Sequence, residues 1–349
     1  MKKILTIVVP TYNVEKYLDR CVQTLVYDEE ALKECEILIV NDGSKDNSLQ
    51  IAKKYEKAYP DSIKVIDKEN GGHGSTINAG LKVATGKYFR VIDSDDWVNI
   101  DDFSKYIQDL KKCDEDIVLT DYTRELLYSG EIIKFNYEGL EYNKKYDLDK
   151  FDFSKLKDDY FFMATTTFKT EKLRKANVVL DEKTFYVDME FILFPILEIK
   201  TMIYLNYNIY RYFIGRPEQS ISINSYVRNR KDHEKVLRKI LKFYGDIKEN
   251  NNRKGYVHKI VLQLLNSHYI IYCKAQLNDK KDIQEIREFT KFLKSNYNDL
   301  YNELRDEHKY IKWNQNTNFR YAQISHNIFS RLADRREFRQ KNRGCSNED

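Results

Sequence analysis

The segment Asp93-Ser94-Asp95-Asp96 places three carboxylates within four residues. It directly follows the apolar run Tyr88 to Ile92, a pattern typical of a strand that ends in a turn. Carboxylates spaced as Asp-x-Asp on such a turn supply hard oxygen ligands, which suit a Mg²⁺ or Mn²⁺ ion holding a diphosphate. Without a cation, three crowded acids would repel one another. The alternative at this point is a solvated acidic turn.

Three other short polar segments also follow apolar runs in the first half of the chain. They are Pro10-Thr11-Tyr12-Asn13, Asn41-Asp42-Gly43-Ser44 and Asn70-Gly71-Gly72-His73-Gly74. The glycines of the third segment allow a close backbone approach to a ligand, with a simple turn as the alternative. His73 either contacts a ligand, such as a phosphate group, or is a structural hydrogen-bonding residue. Because the carboxyl ends of parallel strands meet at one edge of a sheet, we expect all four segments to converge there.

The elements that must position these segments alternate between short β-rich runs and amphipathic stretches. Runs of Ile, Val, Leu or aromatic residues predict five strands, at Leu5 to Pro10, Glu36 to Asn41, Ile63 to Asp67, Tyr88 to Asp93 and Asp116 to Tyr122. Helical spacing between them predicts one helix after Asn47-Ser48 and another after Ser75 or Thr76, the latter ending at Gly86. This alternation predicts an α/β fold with a mostly parallel sheet flanked by helices.

The second half of the chain has a different character. Residues 123–170 are typical of hairpins and irregular insertions, with a turn at Ser129-Gly130. From about residue 226 the apolar spacing predicts long helices. Residues 226–349 hold 27 Lys or Arg against 16 Asp or Glu, whereas residues 1–225 hold 32 against 39. We therefore expect two parts, residues 1–225 and a basic helical region over residues 226–349.

Bulk properties exclude several classes of protein. The 349 residues are 42% hydrophobic, enough for a large core, but every apolar run is shorter than the roughly 20 residues that span a bilayer. The first apolar run is expected to be a strand and not a signal peptide. Five scattered Cys show neither zinc nor disulfide spacing, which favours a reducing cytoplasm. No zinc finger, recognition helix or RNA-stacking motif occurs, so no nucleic-acid partner is expected.

The stretch 331–343 near the C-terminus holds six basic and two acidic residues. One interpretation is a solvated tail or a last helix. The other is peripheral contact with anionic lipid at the inner face of the membrane, where each basic residue contributes on the order of 1 kcal/mol.

The polar segments and their flanks resemble a known enzyme family. The stretches PTYNVEKYL, NDGSKDNS, ENGGHGSTINAGLKVATGKYF and VIDSDDWV, in this order, are similar to those of family 2 glycosyltransferases with the GT-A fold. The resemblance covers about residues 4 to 222. It implies a GT-A (Rossmann-like) domain over residues 1–225 with a C-terminal helical extension. It also implies a nucleotide-sugar donor, commonly a UDP-sugar, and inversion at the anomeric carbon.

The resemblance also implies roles for single residues. Thr11 and Tyr12 are expected beside the nucleobase and ribose, and Asp42 is expected to accept a hydrogen bond from uracil, with a turn-forming role as its alternative. Asp95 is expected to bind Mn²⁺ or Mg²⁺, Asp93 to contact the ribose or donor sugar, and Asp96 to support the turn or the sugar. The full expected donor site is Pro10, Thr11, Tyr12, Asn13, Asp42, Gly72, His73, Asn78, Asp93, Ser94, Asp96 and Arg211.

Inversion requires a base on the face opposite the leaving diphosphate, because the acceptor hydroxyl must lose its proton. The family places this base in a Glu-Asp-x-x-Phe motif, and the matching register here assigns it to Asp188, with Val187 in place of Glu. Glu190 is the competing candidate. Side chains two positions apart on a helix diverge by about 200°, so only one is expected to point into the cleft. A helix N-terminal acid favoured by the dipole is the alternative role for Asp188.

Two further features concern the donor phosphates. Many relatives carry Arg immediately before the position of Asn78, where this sequence has Ile77. A later stretch resembles the family's closing segment, in which Arg211, Arg216 and Ser220 are expected to close over the donor and pair with its phosphates. For Arg211 the alternative is an exposed base on a strand.

These features predict a metal-dependent inverting glycosyltransferase that moves a sugar from UDP to a hydroxyl of a surface glycan, a lipid-linked oligosaccharide or a glycoprotein. A sugar nucleotidyltransferase is one alternative, although its glycine-rich phosphate loop is absent. A catalytically degenerate partner subunit is the other, and the presence of Asp93, Asp95 and Asp188 argues against it. The sequence leaves the sugar, the linkage and the formation of homo-oligomers open.

Overall fold

A computed structural model gives the structure of most of the chain. The described residues are 3–156, 160–215, 223–249, 251–274 and 280–322. Arg216 and Ser220 of the expected closing segment, and the basic stretch 331–343, lie outside these residues.

Within the described residues, ten strands form one mixed sheet. The strands are β1 (Leu5–Thr11), β2 (Cys35–Asp42), β3 (Ile63–Lys68), β4 (Tyr88–Val91), β5 (Trp97–Val98), β6 (Ile117–Leu126), β7 (Ile132–Phe135), β8 (Lys145–Asp147), β9 (Thr166–Lys169) and β10 (Thr201–Ile214). Their order is β3-β2-β1-β4-β9-β6-β10-β5, with β7 paired to β6 and β8 to β10. The ladders among β1 to β4 are parallel, whereas β9 runs antiparallel to both β4 and β6.

The same residues contain thirteen α-helices. They are α1 (Leu18–Leu25), α2 (Glu29–Lys33), α3 (Ser48–Ala58), α4 (His73–Val83), α5 (Ile100–Leu110), α6 (Thr170–Lys175), α7 (Asp188–Leu193), α8 (Ile223–Arg228), α9 (Arg230–Asp246), α10 (Arg253–Lys274), α11 (Lys280–Asn296), α12 (Asn298–Glu307) and α13 (Lys309–Asn316). Helices α1, α3 and α4 connect the parallel strands, so the predicted alternation of strands and helices is confirmed.

The register of the parallel strands brings their carboxyl ends together. Thr11 at the end of β1 lies opposite Asn41, and Asn41 lies opposite Asp67. On the other side of β1, Val8 lies opposite Val91 near the end of β4. All seven residues of β1 are buried, as expected for a strand that is covered on both faces. The four polar loops therefore leave the sheet at the same edge.

Helix α4 begins earlier than predicted. Its N-cap is Gly72, with φ 82°, so Ser75 and Thr76 lie inside the first turn instead of preceding it. Their hydroxyls donate to the carbonyls of Gly72 and His73 at 2.7 and 2.6 Å. This local bonding to a preceding carbonyl is available to serine and threonine within a helix as well as at a cap.

The prediction that Gly86 ends α4 is also wrong. The helix ends at Val83, and Ala84 is its C-cap. Gly86 instead allows the chain to pass close to β1, because a Cβ at this position would lie 2.5 Å from the amide nitrogen of Thr6.

The turn at Ser129-Gly130 joins β6 and β7 as predicted. The two strands pair antiparallel, and Gly130 adopts φ 67° at the turn. The remainder of this region holds β8, β9 and short 3-10 turns at Phe153–Leu156 and Met163–Thr165. The irregular character expected over residues 123–170 is confirmed.

Contacts divide the chain into two compact units. The first comprises Met1–Gln219 and Arg238–Val257, and the second comprises Ser220–Leu237 and His258–Asp349. Residues 238–257 join the first unit through bonds to its loops. Arg253 donates from Nη2 to the carbonyl of Ile199 at 2.6 Å, and the Tyr256 hydroxyl accepts from the Phe161 amide at 3.0 Å.

The described part of the second unit is helical. Its core includes Ile286, Phe289 and Leu293 of α11, together with Leu300 and Leu304 of α12, all buried. Two buried histidines, His233 and His268, stack with ring planes 11° apart. The predicted C-terminal helical region is thereby confirmed.

Among the helices of the described residues, none is both long enough and apolar enough to cross a membrane.

We predict that Gly80→Ala destabilises the protein. The added Cβ would lie 2.3 Å from Cγ2 of the buried Val8, so α4 or β1 must shift. Overpacking of this kind costs about 1 to 3 kcal/mol in the free energy of unfolding. Gly255→Ala is the matched control, because a Cβ at this helical position meets no atom within 4 Å. Urea denaturation should show a lower midpoint for Gly80→Ala, and an equal or higher midpoint for Gly255→Ala. A Gly80→Ala protein as stable as the wild type would contradict this packing.

Candidate functional site at the edge of the sheet

The carboxylate of Asp42, at the end of β2, organises the loop that follows β3. Asp42 is 2% exposed. It accepts hydrogen bonds from the amides of Gly71 and Gly72 at 2.9 and 2.8 Å, and from Lys68 Nζ at 2.7 Å. Its backbone carbonyl accepts from Asn70 at 3.0 Å. A buried carboxylate needs this many partners, because an unpaired charge in the interior is costly. Asp42 thus supports the loop at residues 70–74, which we call the glycine loop. This favours the turn-forming alternative for Asp42.

A cavity of about 550 Å³ opens beside this loop, within the size range of ligand pockets. Its lining is Tyr12, Gly43, Lys45, Asp67, Lys68, Glu69 and Asn70. Tyr12 was expected at the donor base, and its ring is half exposed at the cavity. Sequence reasoning missed Lys45 and Asp67 to Glu69. The ends of β2 and β3 were the available signal, because loops at this edge line ligand sites in α/β sheets.

The other residues of the first polar segment shape the loop. Pro10 and Thr11 are buried in β1, and the Thr11 hydroxyl donates to the carbonyl of Val9 at 3.0 Å. Asn13 has φ 51° and links two loops, because its Oδ1 accepts from the Lys45 amide at 2.8 Å. Tyr12 is therefore the member of the segment that the loop presents to the cavity.

The acidic turn is fastened to β10 through Asp96. This carboxylate accepts from the Tyr210 hydroxyl at 2.6 Å and from the Phe213 amide at 2.8 Å, and it is 1% exposed. Burial raises the pKa of Asp96 well above its ordinary value, and the charge of Asp93 adds to the rise. The neighbouring Ser94 is also buried. The structure thus favours support of the turn as the role of Asp96.

Asp93 and His73 form an ion pair at the edge of the sheet. The ring Nε2 lies 2.8 Å from Asp93 Oδ1, and the side chains are 35% and 30% exposed. Desolvation alone would lower the pKa of His73, but the charges of Asp93, Asp188 and Asp42 outweigh it and raise the pKa. Three predicted site carboxylates therefore act on one imidazole, which favours its charged form.

The chemistry of the turn fits a divalent cation. Asp95 is partly exposed at the same edge and carries a hard oxygen donor. Within the described ranges, no three His, Cys, Asp or Glu side chains are grouped as a complete metal cage. Mg²⁺ in nucleotide sites typically uses one or two carboxylates together with substrate phosphates, and does not need such a cage. The donor set is therefore suitable for a cation that binds together with a diphosphate.

The glycine loop packs against the segment that leads to Asp188. The amide of Lys183 donates to the carbonyl of Gly71 at 2.5 Å. A Cβ at Gly72 would lie 3.1 Å from the Lys183 nitrogen, and one at Gly74 would lie 2.3 Å from the carbonyl oxygen of Asp181. The close approach that these glycines allow is thus to the protein's own backbone, in a region where Lys183 itself has φ 50°.

Asp188 and Glu190 point in different directions, as the helical geometry predicted. Asp188 is the first residue of α7 and is exposed, whereas the side chain of Glu190 is fully buried. Glu190 Oε2 accepts from the Asp181 amide at 2.9 Å and from Lys239 Nζ at 3.0 Å. Glu190 therefore makes hydrogen bonds within the protein interior, and of the two acids only Asp188 is accessible to a substrate.

The surroundings of Asp188 suit a base. Desolvation by the surrounding protein raises the pKa of Asp188 above its ordinary value, although the residue as a whole is exposed. The charge of His73 and the amide of Met189 oppose this rise. A carboxylate with a raised pKa is a stronger proton acceptor once it is ionised.

Two other residues that were expected to contact the nucleotide sugar have partners within the protein. Asn78 exchanges two hydrogen bonds with the backbone of Leu180, both of 2.9 Å. Arg211 pairs with Glu125 on the neighbouring strand at 3.2 Å. These contacts favour structural roles for both side chains. Ile77, found where many relatives carry Arg, is 1% exposed and belongs to the core.

Comparison with known proteins identifies similar sequences. Residues 6–172 match the model of the family described as glycosyl transferase family 2. The uncharacterized glycosyltransferase EpsJ of Bacillus subtilis is 37% identical over 118 residues, which cover 34% of this chain and 33% of EpsJ. The minor teichoic acid biosynthesis protein GgaB of Bacillus subtilis is 36% identical over 115 residues, or 32% of this chain and 13% of GgaB. The matches thus span a third or less of these relatives.

A solved structure shares the fold over most of the chain. Staphylococcus aureus TarS 1–349 in complex with UDP-GlcNAc superposes with a TM-score of 0.68 at 21% identity, covering 93% of this chain and 92% of that chain. The GT-A fold with a C-terminal helical region, expected from the sequence, is confirmed.

We predict that NMR titration of the carboxyl carbon of Asp188 gives a pKa above the roughly 3.9 of an unperturbed aspartate. Comparison with Asp188→Asn identifies the signal. His73→Gln removes a positive charge that favours the ionised form, so it should raise the pKa of Asp188 further. A pKa at or below the ordinary value, or a fall in His73→Gln, would contradict this description of the site.

Proposed function

We propose that this chain, whose residues 6–172 match the model of glycosyl transferase family 2, transfers a sugar from UDP to a hydroxyl group with inversion at the anomeric carbon. The observation that carries this proposal is the convergence of predicted site residues around His73: its Nε2 lies 2.8 Å from Asp93 Oδ1, and it directly follows Gly71 and Gly72, whose amides donate to Asp42. The charges of Asp42, which supports the glycine loop, of Asp93 in the acidic turn and of Asp188 at the start of α7 all act on this imidazole. Donor-binding and proton-accepting groups are thereby close together at one edge of the sheet.

The donor nucleotide occupies the cavity beside Tyr12. Its volume of about 550 Å³ suits a nucleoside, and the half-exposed ring of Tyr12 offers a stacking surface to a base. Asn41 holds Asp67 at the cavity with a bond of 2.7 Å from its amide nitrogen to the carboxylate. This carboxylate is an acceptor for a base N–H.

The diphosphate lies toward the acidic turn. Asp95 is the residue that would hold Mn²⁺ or Mg²⁺ there, and the cation would stabilise the charge that develops on the leaving diphosphate. Asp93 remains the predicted contact to the ribose or donor sugar, and its pairing with His73 orients its carboxylate.

Asp188 takes the proton from the acceptor hydroxyl. Asp188 is exposed and lies at the start of α7, and its raised pKa favours proton acceptance. Inversion follows when the base and the leaving diphosphate lie on opposite faces of the donor sugar. Because Glu190 is buried and bonded to Lys239, it does not compete for this role.

The acceptor that we propose is a hydroxyl of a cell-surface polymer. GgaB is named for minor teichoic acid biosynthesis, and EpsJ is named as a glycosyltransferase. A surface glycan, a lipid-linked oligosaccharide and a glycoprotein all present such hydroxyls.

We expect Asp188→Asn and Asp95→Ala to separate proton transfer from donor binding. Asp188→Asn should bind UDP normally in the presence of Mn²⁺ but lose turnover by about 100-fold or more, because general-base catalysis contributes 10²- to 10⁴-fold. Asp95→Ala should lose the Mn²⁺-dependent part of UDP binding. Calorimetry and UDP release with a panel of UDP-sugars and polymer acceptors measure both effects.

Asp114→Asn is the matched control, because this side chain is 80% exposed and pairs with Lys87 and Lys169 at the surface. The wild-type protein without UDP release for any donor and acceptor pair would count against the proposed function. Asp188→Asn with turnover close to that of the wild type would remove Asp188 as the base.

We also expect Tyr12→Ala to weaken UDP binding by about 10- to 100-fold, because base stacking on an aromatic ring is worth about 1 to 3 kcal/mol. Tyr27→Ala is the control, since Tyr27 is 69% exposed and is absent from the cavity lining. Equal UDP affinities for the two variants, measured by calorimetry, would show that the cavity does not hold the base.

A further inference from the structure

We propose that Lys239 is a positioning residue for the base: through Glu190 and Asp181 it fixes the start of α7 and so directs the carboxylate of Asp188. We refer to Lys239, Glu190 and Asp181 as the Lys239 cluster. The inference rests on the proposed function, because it concerns the residue assigned as the base. Both Glu190 and Lys239 lie beyond residues 6–172, the part that matches the family model.

The ammonium of Lys239 is fully used by this part of the structure. Nζ donates to Asp181 Oδ1 at 2.9 Å, to Glu190 Oε2 at 3.0 Å and to the carbonyl of Val179 at 3.3 Å. An ammonium has three hydrogens to donate, so these bonds exhaust its capacity. Lys239 on α9 is thereby joined both to the segment before α7 and to α7 itself.

The Lys239 cluster closes a short loop that contains Asp188. The Asp181 amide donates to Glu190 Oε2 at 2.9 Å, and these residues are nine positions apart. Within the loop, Lys183 and Tyr186 have φ values of 50° and 66°. Non-glycine residues persist in this region only when the surrounding structure holds them there. Asp188 lies two positions before Glu190, so a change at Glu190 reaches it through a single helical turn.

The burial of Glu190 makes it costly to break the ion pairs of the Lys239 cluster. Desolvation raises the pKa of Glu190, and the Asp181 amide and Lys239 oppose this by favouring the ionised form. Its side chain is fully buried, so removal of Lys239 leaves a charge without its counterion. Glu190 must then take up a proton or move toward water, and either response alters the start of α7.

The loop is also supported from the other side. Gly74 contacts the Asp181 carbonyl closely, and the Lys183 amide is bonded to Gly71. The glycine loop therefore limits movement of residues 181–183 toward the sheet edge, while the Lys239 cluster holds Asp181 and Glu190 together. Proton transfer depends on such placement, because a misplacement of about 1 Å can cost about 100-fold in rate.

The test compares Lys239→Met with Lys242→Met. Lys242 lies on the same helix, is 78% exposed, and pairs with Asp246, which is four positions further along the chain. We expect Lys239→Met to lower kcat by about 10- to 100-fold while the UDP dissociation constant stays within about twofold. Lys239→Arg, which keeps the charge, should recover a large part of the loss, and Lys242→Met should match the wild type.

Thermal unfolding, measured in parallel, separates positioning from a purely structural role. A Lys239→Met protein with a lower midpoint but wild-type kcat, assayed well below that midpoint, would overturn the proposal. Equal losses of kcat in Lys239→Met and Lys242→Met would also overturn it. If Lys239→Met does not fold, Glu190→Gln serves instead, because its amide oxygen still accepts from Asp181 but lacks the charge that pairs with Lys239.

The NMR signal of the Asp188 carboxyl carbon keeps this test distinct from that of the proposed function. If the wild type were inactive, the proposed function would be wrong. The NMR signal of Asp188 would still test whether Lys239 positions this carboxylate. A shift of the Asp188 signal in Lys239→Met but not in Lys242→Met supports the positioning. An unchanged signal in both variants overturns it.

Discussion

The buried carboxylate of Asp42 is the interaction on which the site depends. It lies at the end of β2 and accepts two amide hydrogen bonds from Gly71 and Gly72 and a third bond from Lys68. These bonds fix the loop from which α4 starts, and His73 is the first residue of that helix. The same loop contacts residues 181–183, which lead to Asp188. One satisfied buried charge thus positions both the imidazole and the segment that leads to Asp188, the proposed base.

A second constraint is the excess of negative charge at the edge of the sheet. Asp42, Asp93 and Asp188 all raise the pKa of His73, and Asp93 adds to the high pKa of Asp96. A nucleoside diphosphate would bring more negative charge to this place. Protein cations offset part of it, through Lys68 at Asp42 and His73 at Asp93. The remaining negative charge is consistent with the proposal that a divalent cation binds here with a carboxylate such as Asp95.

The surroundings of each acidic side chain differ even between acids that are close together in the sequence. Asp96 and Glu190 are buried. Both carboxylate oxygens of Asp96 accept hydrogen bonds, from Tyr210 and Phe213, and Oε2 of Glu190 accepts from Asp181 and Lys239. Asp188 is exposed at the start of α7. Acids that are adjacent or two positions apart therefore differ in role, because a turn or a helix directs alternate side chains to different surroundings. The buried acids thus hold the segments that carry the acids proposed to take part in the reaction.

The amino-acid sequence by itself predicted the strands of the parallel ladder, the convergence of four polar loops and the resemblance to family 2 glycosyltransferases. These follow from local apolar patterns and from motifs whose residues are near one another in the chain. It also separated Asp188 from Glu190, since helical geometry makes their directions diverge. The start of α4 was misplaced, because Ser75 and Thr76 bond within a helix as readily as they cap one.

Only the tertiary structure decided which polar side chains form hydrogen bonds within the protein. Asn78 bonds to Leu180, 102 positions away, and Glu190 to Lys239, 49 positions away. The cavity lining likewise combines Tyr12 with Asp67 to Asn70 from a different strand end. Such pairings depend on how the sheet and helices bring distant segments together, and no local spacing records them. Burial then sets the charge state and the role, because a desolvated carboxylate requires partners and an exposed one is available to a substrate.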